Sequence, residues 1–567
     1  MSSLLQQATT RHSQGRLAEA EQLYRSILDA NPQQPDALAL LGVLLASRKA
    51  YEEALSFLDR AIQCDPQTPL FRFYLGNVYF DRGDEARAAG AFQETLKRQP
   101  DFAEAHYKLA LILEKQMKLS EAIQHLEQAV KIKPKDGATW VKLSEIALKN
   151  EAYEQANKAA ENALRLMPDN LAARVAHALA LDYMNREEES VIALQNAIRI
   201  KPDFIEAWDM LGAAYQQVGR LDEAEATFRK AIEVAGCGIF GENEREVAEE
   251  EYSVQHWNLS LLELLRGDFH HGFAHYRARF KNPGRTPRLT LPRPLWNGED
   301  LRGKKILVVG EQGFGDVLML CRYAPLLKAK GAHVVLLVHG ALAGLLNLAK
   351  IADEILCEAP QEQGDFDFQT SLFDLPYRLG TTLETIPASI PYLPSPPAEE
   401  KTNLPDTERP KIGIVWAGKK EFGNDRRRSL SLATFAELFN EKDAQFYNLT
   451  RELKPNDAER LAQHSVIDLS AQLSDFLVTA RFIAQLDLVI TCDTATAHLA
   501  GGMGKKVWVL LPFAPDWRWL TGREDSPWYP TMRLFRQNKK ADWAEVMTRV
   551  RKELALFLKT KKQYQRA

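Results

Sequence analysis

Six prolines, Pro32, Pro66, Pro100, Pro134, Pro168 and Pro202, recur every 34 residues, and the pattern is gone after about residue 280. A chain with a fixed period of this length cannot gather around one core. Each period is a small unit that buries its apolar face only against its neighbours. Proline cannot continue a helix, so each of the six marks a helix end. Small residues keep the same phase: Ala20, Ala54, Ala88, Ala122, Ala156 and Ala224 recur where two helices must approach closely, and only Ser190 interrupts. Gly42, Gly76 and Gly212 share a second close-contact position with Ala8, Ala110, Ser144 and Ala178, while Tyr24, Phe57 and Phe228 belong to the large apolar set between units. The period thus divides the chain into an array of helical hairpins and a second part where any chemistry has to come from.

The array resembles tetratricopeptide repeats over residues 1–236, roughly seven units. Residues 237–282 are expected to hold an acidic insert, Gly241 to Glu251, and a degenerate last unit built on His256-Trp257-Asn258-Leu259 and Leu265-Arg266-Gly267-Asp268-Phe269. The insert reads as a solvated loop or helix start. Stacked units of this kind form a superhelix with a concave groove that usually takes a peptide or a partner protein. Here Phe73, Asn77, Phe80, Tyr107 and Lys108 are expected along it. The bland alternative is a scaffold for the second part.

At 567 residues the chain has room for three or four domain-sized units, and its net charge of −4 argues against a general nucleic-acid binder. Cys64, Cys237, Cys321, Cys357 and Cys492 are scattered without a C-x-x-C, which suggests core residues in a reducing compartment and no metal. No basic-apolar leader opens the sequence and no stretch is long enough to span a bilayer, so a cytoplasmic protein without a membrane span is expected.

Proline-rich linkers are expected at 283–303 and 394–410, the second lying within a run of seven prolines from Pro387 to Pro410. They bracket an α/β segment, 304–393, and precede another, 411–567, which ends in a helix. Lys305–Val309, His333–Val338 and Phe366–Ser371 read as strands of the first. Ile412–Trp416, Gln445–Leu449, Asp487–Thr491 and Val507–Leu511 read as strands of the second, with helices over 433–441, 473–485, 495–503 and about 543–558 between and after them. Strands alternating with helices predict parallel sheets, hence two Rossmann-like lobes with a cleft between them and a short first lobe.

Three spots fall at carboxyl ends of expected strands, where open α/β sheets bind ligands. Gly310-x-x-Gly313-x-Gly315-Asp316 lets backbone pass close to a ligand and puts a carboxylate at the lip, although an aspartate there also suits a helix cap worth about 1 kcal/mol. Its glycine order is not the dinucleotide fingerprint. Trp416, Gly418 and Lys419 lead into Asp425 and an arginine run ending at Arg428, suited to phosphate capture or simply to solvent. Asp493, Thr494, Ala495, Thr496 and His498 open a helix whose first N–H groups suit a diphosphate. Asp493 would cap the helix or take hydroxyls; His498 would be a base, a phosphate donor or a packed core residue. Asp365-Phe366-Asp367 spells D-x-D beside a strand and is taken as chance, and His271 with His275 lacks a third metal ligand.

In order, these motifs resemble the heptosyltransferase-like glycosyltransferases (glycosyltransferase family 9) of the two-lobed GT-B fold, from about Lys304 to Leu556. The resemblance implies Asp316 as general base and Gly313, Gly315, Trp416, Gly418, Lys419, Asp425, Arg428, Asp493, Thr494, Ala495, Thr496 and His498 on the donor side. Arg428 stands where that family has lysine. The block Pro515-Asp516-Trp517-Arg518-Trp519-Leu520 with Asp525 to Pro530 looks like tetratricopeptide-linked members of the group. The implied activity is inverting, metal-independent transfer from a nucleotide-diphosphate sugar to a protein hydroxyl presented by the repeats, with no cofactor and no nucleic-acid partner. O-GlcNAc transferases share the plan, but their in-phase asparagine ladder is reduced here to Asn162 and Asn196. A lipopolysaccharide-type heptosyl transferase, or a non-catalytic adaptor with a degenerate transferase fold, are the alternatives.

Overall fold

A computed structural model describes residues 2–237, 254–281, 293–360, 365–418 and 425–566. The chain divides into two compact units, Met1–Ala207 and Trp208–Ala567.

The first unit is a superhelix of twelve helices, each 12 to 14 residues long, from Ser2–Ser13 to Glu187–Ile200. The in-phase small residues lie where helices touch. A Cβ added at Gly76 would sit 2.6 Å from the Phe92 ring, and Ala20, Ala54, Ala88, Ala122 and Ala156 are fully buried. Two further 34-residue periods appear only in three dimensions. Gly15, Lys49, Gly83, Met117, Glu151 and Asn185 all turn the chain between paired helices at φ between 58° and 86°. Arg72, His106, Trp140 and Arg174 each direct a side-chain nitrogen onto the carbonyl of the proline six residues earlier, at 2.6 to 3.0 Å. That carbonyl has no helical partner, and the donor satisfies it. Among the expected groove residues, Phe73, Asn77, Phe80 and Tyr107 are half-buried, and the Lys108 ammonium lies 4.7 Å from the centre of the Phe80 ring.

The second unit opens inside the helix Ile205–Gln217, continues through Leu221–Val234, Val254–Arg266 and Phe269–Tyr276, and then becomes α/β. One sheet holds β1 (Lys305–Val309), β2 (His333–Leu337), β3 (Glu354–Leu356) and β4 (Phe368–Ser371) in the order β3-β2-β1-β4. The other holds β5 (Lys411–Val415), β6 (Gln445–Asn448), β7 (Ile467–Asp468), β8 (Leu488–Cys492), β9 (Val507–Leu511) and β10 (Met532–Arg536) in the order β10-β9-β8-β5-β6-β7. Every strand pair is parallel, with Ile306 beside Val334 and Phe368, and Ile414 beside Asn448 and Ile490. The continuous apolar runs of β8 and β9 are buried throughout, as strands covered on both faces must be. The last helix, Trp543–Arg566, packs Val546, Val550 and Leu554 onto the β5 to β9 core and runs past the expected end near 558.

The expected helix over 433–441 is a four-residue turn, Leu432–Phe435, followed by a 3-10 segment, Ala436–Asn440. After β1 the chain forms three short helical pieces, Phe314–Leu320, Cys321–Tyr323 and Ala324–Ala329, broken ahead of Pro325. The acidic insert lies outside the described residues, as do 361–364 and 419–424.

Candidate functional site

Each sheet reverses its strand order once, between β1 and β4 in the first and between β5 and β8 in the second. At such a point neighbouring loops diverge and leave a crevice at the carboxyl edge. The segments singled out from sequence leave the sheets there: Gly310–Asp316 after β1, Trp416–Arg428 after β5, and Asp493–His498 after β8.

These segments come together. Gly315 lies so close to the helix Ala495–Gly502 that a Cβ on it would be 2.8 Å from His498 Cδ2 and 3.4 Å from Ala495 Cα. A Cβ on Gly418 would be 2.5 Å from an Arg428 nitrogen and 2.9 Å from Asp425 Oδ1, so a side chain at either glycine would make its neighbours shift. Asp425 receives Arg428 Nε at 3.3 Å and Ser429 Oγ at 2.7 Å, while Ser429 Oγ accepts the Gly418 N–H at 3.0 Å. The Arg428 charge reaches Cys492, Asp493 and His498. Lys419 lies outside the described residues.

Asp316 stands in the first turn of its helix and takes the Gly313 N–H on Oδ2 at 2.8 Å, a capping role. Its other oxygen, Oδ1, accepts from Arg518 Nη2. Gly313 is the N-cap. Thr494 is the N-cap of the helix Ala495–Gly502; its Oγ1 meets Thr491 Oγ1 at 3.0 Å, and its carbonyl accepts the Ala497 N–H. Thr496 follows in the first turn. His498 is 4% exposed, stacked on Trp519 at 5.3 Å and bonded through Nδ1 to the Tyr529 hydroxyl at 2.9 Å. Burial, with Arg518, Arg322 and Arg428 nearby, drives its pKa well below the ordinary value, so it is neutral and packed. Trp416 is 2% exposed inside the core among Leu430, Leu432 and Phe435, and its carbonyl accepts the Leu430 N–H at 2.7 Å. Asp493 is pushed up to about 6 by burial and by the neighbouring Asp516, against the opposing pull of Arg428 and Arg518.

Several residues of this site were not signalled by sequence. Arg518 follows β9 and bonds Asp516 Oδ1 at 2.6 Å as well as Asp316. Burial works against its charge, but the two carboxylates more than offset this and keep the guanidinium protonated. Arg279, from the 3-10 turn after the helix Phe269–Tyr276, is 1% exposed and pairs with Glu311 at 2.6 Å and Asp374 at 2.9 Å, the residues leaving β1 and β4. Tyr276 donates to Gln312 Oε1 at 3.1 Å, and Phe269 and Phe273 pack on Trp528 and Trp517. The last helical hairpin is therefore built into the walls of the crevice. Arg322 joins three segments: Nε to the Met319 carbonyl at 2.8 Å, Nη1 to the Trp528 carbonyl at 2.6 Å, and Nη2 to the Tyr392 hydroxyl at 2.8 Å, with the Tyr392 and Tyr529 rings 4.4 and 4.6 Å from its guanidinium carbon. None of these positions has a local motif; only the tryptophan-rich block around Arg518 was unusual as sequence.

Asp367 pairs with Lys304 at 3.0 Å and takes the Lys305 N–H at 2.8 Å, which anchors the start of β1. His275 is buried against Glu263 at 2.7 Å, and among the described residues no three potential ligands gather for a metal. Two surface hollows, of about 430 and 200 Å³, lie elsewhere, beside Gly298–Arg302 and beside Arg533–Phe535, and neither gathers the groups described above. No described helix is long and apolar enough to cross a membrane.

Tetratricopeptide repeat models match residues 5–69, 74–137 and 205–236, so the helical array is made of tetratricopeptide repeats. Protein FlbA of Caulobacter vibrioides is 28% identical over 338 residues, covering 54% of this chain and 56% of FlbA. A probable UDP-N-acetylglucosamine–peptide N-acetylglucosaminyltransferase SPINDLY of Hordeum vulgare is 29% identical over 109 residues in the repeat region, 19% of this chain and 12% of SPINDLY. The chain thus spans little more than half of the first relative and an eighth of the second. The solved C-terminal part of a TPR repeat-containing protein from Cytophaga hutchinsonii is 14% identical with a TM-score of 0.37, covering 41% of this chain and 96% of that one.

Proposed function

We propose that residues 208–567 form a GT-B type glycosyltransferase, heptosyltransferase-like, which moves a sugar from a nucleotide-diphosphate sugar to a hydroxyl of a protein acceptor presented by the repeats. One observation carries this reading: Gly315, the neighbour of Asp316 at one strand-order reversal, lies against the helix that opens at Thr494 at the other, with Arg428 charge within reach of that helix. A carboxylate facing a cationic, N–H-lined wall is what an inverting transfer needs. The acceptor oxygen attacks the anomeric carbon while its proton passes to Asp316. The bond from that carbon to the phosphate oxygen breaks on the opposite face, and its electron pair leaves with the diphosphate. Arg428 and the first-turn N–H groups at Thr494 to Thr496 offset the charge that develops, so the reading calls for no metal. His498 and Trp416 support the wall from behind. The name carried by SPINDLY, similar to part of the array, fits a peptide acceptor.

Thermal-shift measurements of the full chain with UDP, GDP, ADP, CMP and dTDP test the donor side, since a ligand of the native state raises melting temperature by mass action. Asp316→Asn is expected to abolish transfer to a co-expressed protein, read as loss of a mass shift, while the nucleotide-dependent thermal shift persists. A mass shift on a glycolipid instead would move the acceptor to the lipopolysaccharide class. Absence of any shift with every nucleotide would leave an adaptor.

A further inference from the structure

Both Asp316 oxygens are engaged, Oδ2 by the Gly313 N–H and Oδ1 by Arg518 Nη2. One bond on each oxygen takes two of the carboxylate's roughly four acceptor sites, and the cation on Oδ1 competes with an acceptor hydroxyl for that oxygen until Arg518 changes partner. Arg518 itself is incompletely used. Its Nη1 serves Asp516 and its Nη2 serves Asp316, but Nε is buried without a hydrogen-bond partner among the described residues, in a side chain 10% exposed. An unpaired donor on a buried cation is costly, which marks a group waiting for an acceptor. The guanidinium carbon lies 4.4 Å from the centre of the Trp517 ring. Its turn ends at Leu520, at φ 55° and ψ −168°, a conformation that side chains other than glycine rarely adopt. Gln312, just ahead of Asp316, is also at positive φ, 65°. Strained backbone thus flanks both members of the pair.

We propose that Arg518 is a phosphate contact which, until the donor's diphosphate arrives, holds Asp316, so that one guanidinium serves either the carboxylate or the phosphate and donor binding frees the base. This rests on the transferase reading and adds to it an order, donor before acceptor, and a residue to which the resemblance gave no role. The same guanidinium already acts on Asp493 and His498, beside the helix start on which the transferase reading seats the diphosphate. A planar fork suits this exchange because carboxylate and phosphate present equivalent oxygen pairs to it.

If two anions compete for one cation, removing one charge strengthens the hold on the other. Isothermal titration of the full-length protein with UDP, GDP, ADP and dTDP, each in turn, tests this. Whichever nucleotide binds the wild type is expected to bind Asp316→Asn more tightly, by roughly 5- to 100-fold, the range of typical coupling between sites. Asparagine keeps an oxygen for the Gly313 N–H, so the helix cap survives. Arg518→Gln should bind at least tenfold more weakly, and in Asp316→Asn/Arg518→Gln the gain should vanish. The Asp316→Asn arm decides alone if the Arg518 variant does not fold. A merely structural ion pair gives no tightening. Equal or weaker binding by Asp316→Asn overturns the exchange and leaves the transferase reading standing. Absence of binding to wild type and Asp316→Asn alike overturns both.

Discussion

Asp493 is the carboxyl whose charge the site tolerates least. Burial and Asp516 raise its pKa to about 6, above the value near 4 of an unfolded chain. Between these values the folded state binds more protons than the unfolded one. Stability therefore falls as pH rises through this window, and the loss is complete above about 6. Asp493→Asn is expected to raise stability by about 1–2 kcal/mol at pH 8 and to change little at pH 4, read by calorimetry at the two values. The sequence placed this residue correctly after its strand, because a buried parallel strand followed by small residues is a local pattern. It could not give Asp493 its neighbours. Asp516 and Arg518 arrive from the next strand, and no spacing rule links them to it. His498 shows the same divide: its position was legible, but its neutrality comes from Trp519, Tyr529 and three arginines brought by folding.

At the scale of elements, the turn within each hairpin is the clearest case of a period that composition hides. Gly15, Gly83 and Asn185 suit the left-handed backbone there, whereas Lys49, Met117 and Glu151 adopt it against the preference of their side chains. Met117 is 74% exposed and has little packing to lose. Met117→Gly is expected to stabilise the first unit by about 1 kcal/mol, measured by denaturant unfolding of residues 1–207. The strands divide in a similar way. β1, β5, β8 and β9 were legible as continuous apolar runs because they are covered on both faces. β3, β7 and β10 were missed. They stand at sheet edges, where Glu354, Asp468, Arg533 and Arg536 break the run, as edge strands require.

For the whole molecule, the 34-residue period shows how helices 208–281 are made but not what they pack against. That is why the second unit includes them although their pattern is that of the array. Removing them strands Glu311 and Asp374 without Arg279 and uncovers Trp517 and Trp528. Loss of the buried cation alone is worth about 3–5 kcal/mol. Residues 208–567 are expected to give a single cooperative melting transition and protected amides. Residues 304–567 should lack the transition or aggregate, and equal melting temperatures for the two fragments would count against an integral last hairpin.

Arg322 fastens the helix after β1, the connection through Tyr392 and the loop at Trp528 with a single side chain. Swinging the two sheets apart would take the Trp528 carbonyl and the Tyr392 hydroxyl from that buried cation and leave it the Met319 carbonyl. Holding the halves at one separation is therefore favoured over opening them. Whatever enters is admitted by side chains and short loops exchanging places, and the pace of that exchange should be indifferent to the drag of a viscous solvent.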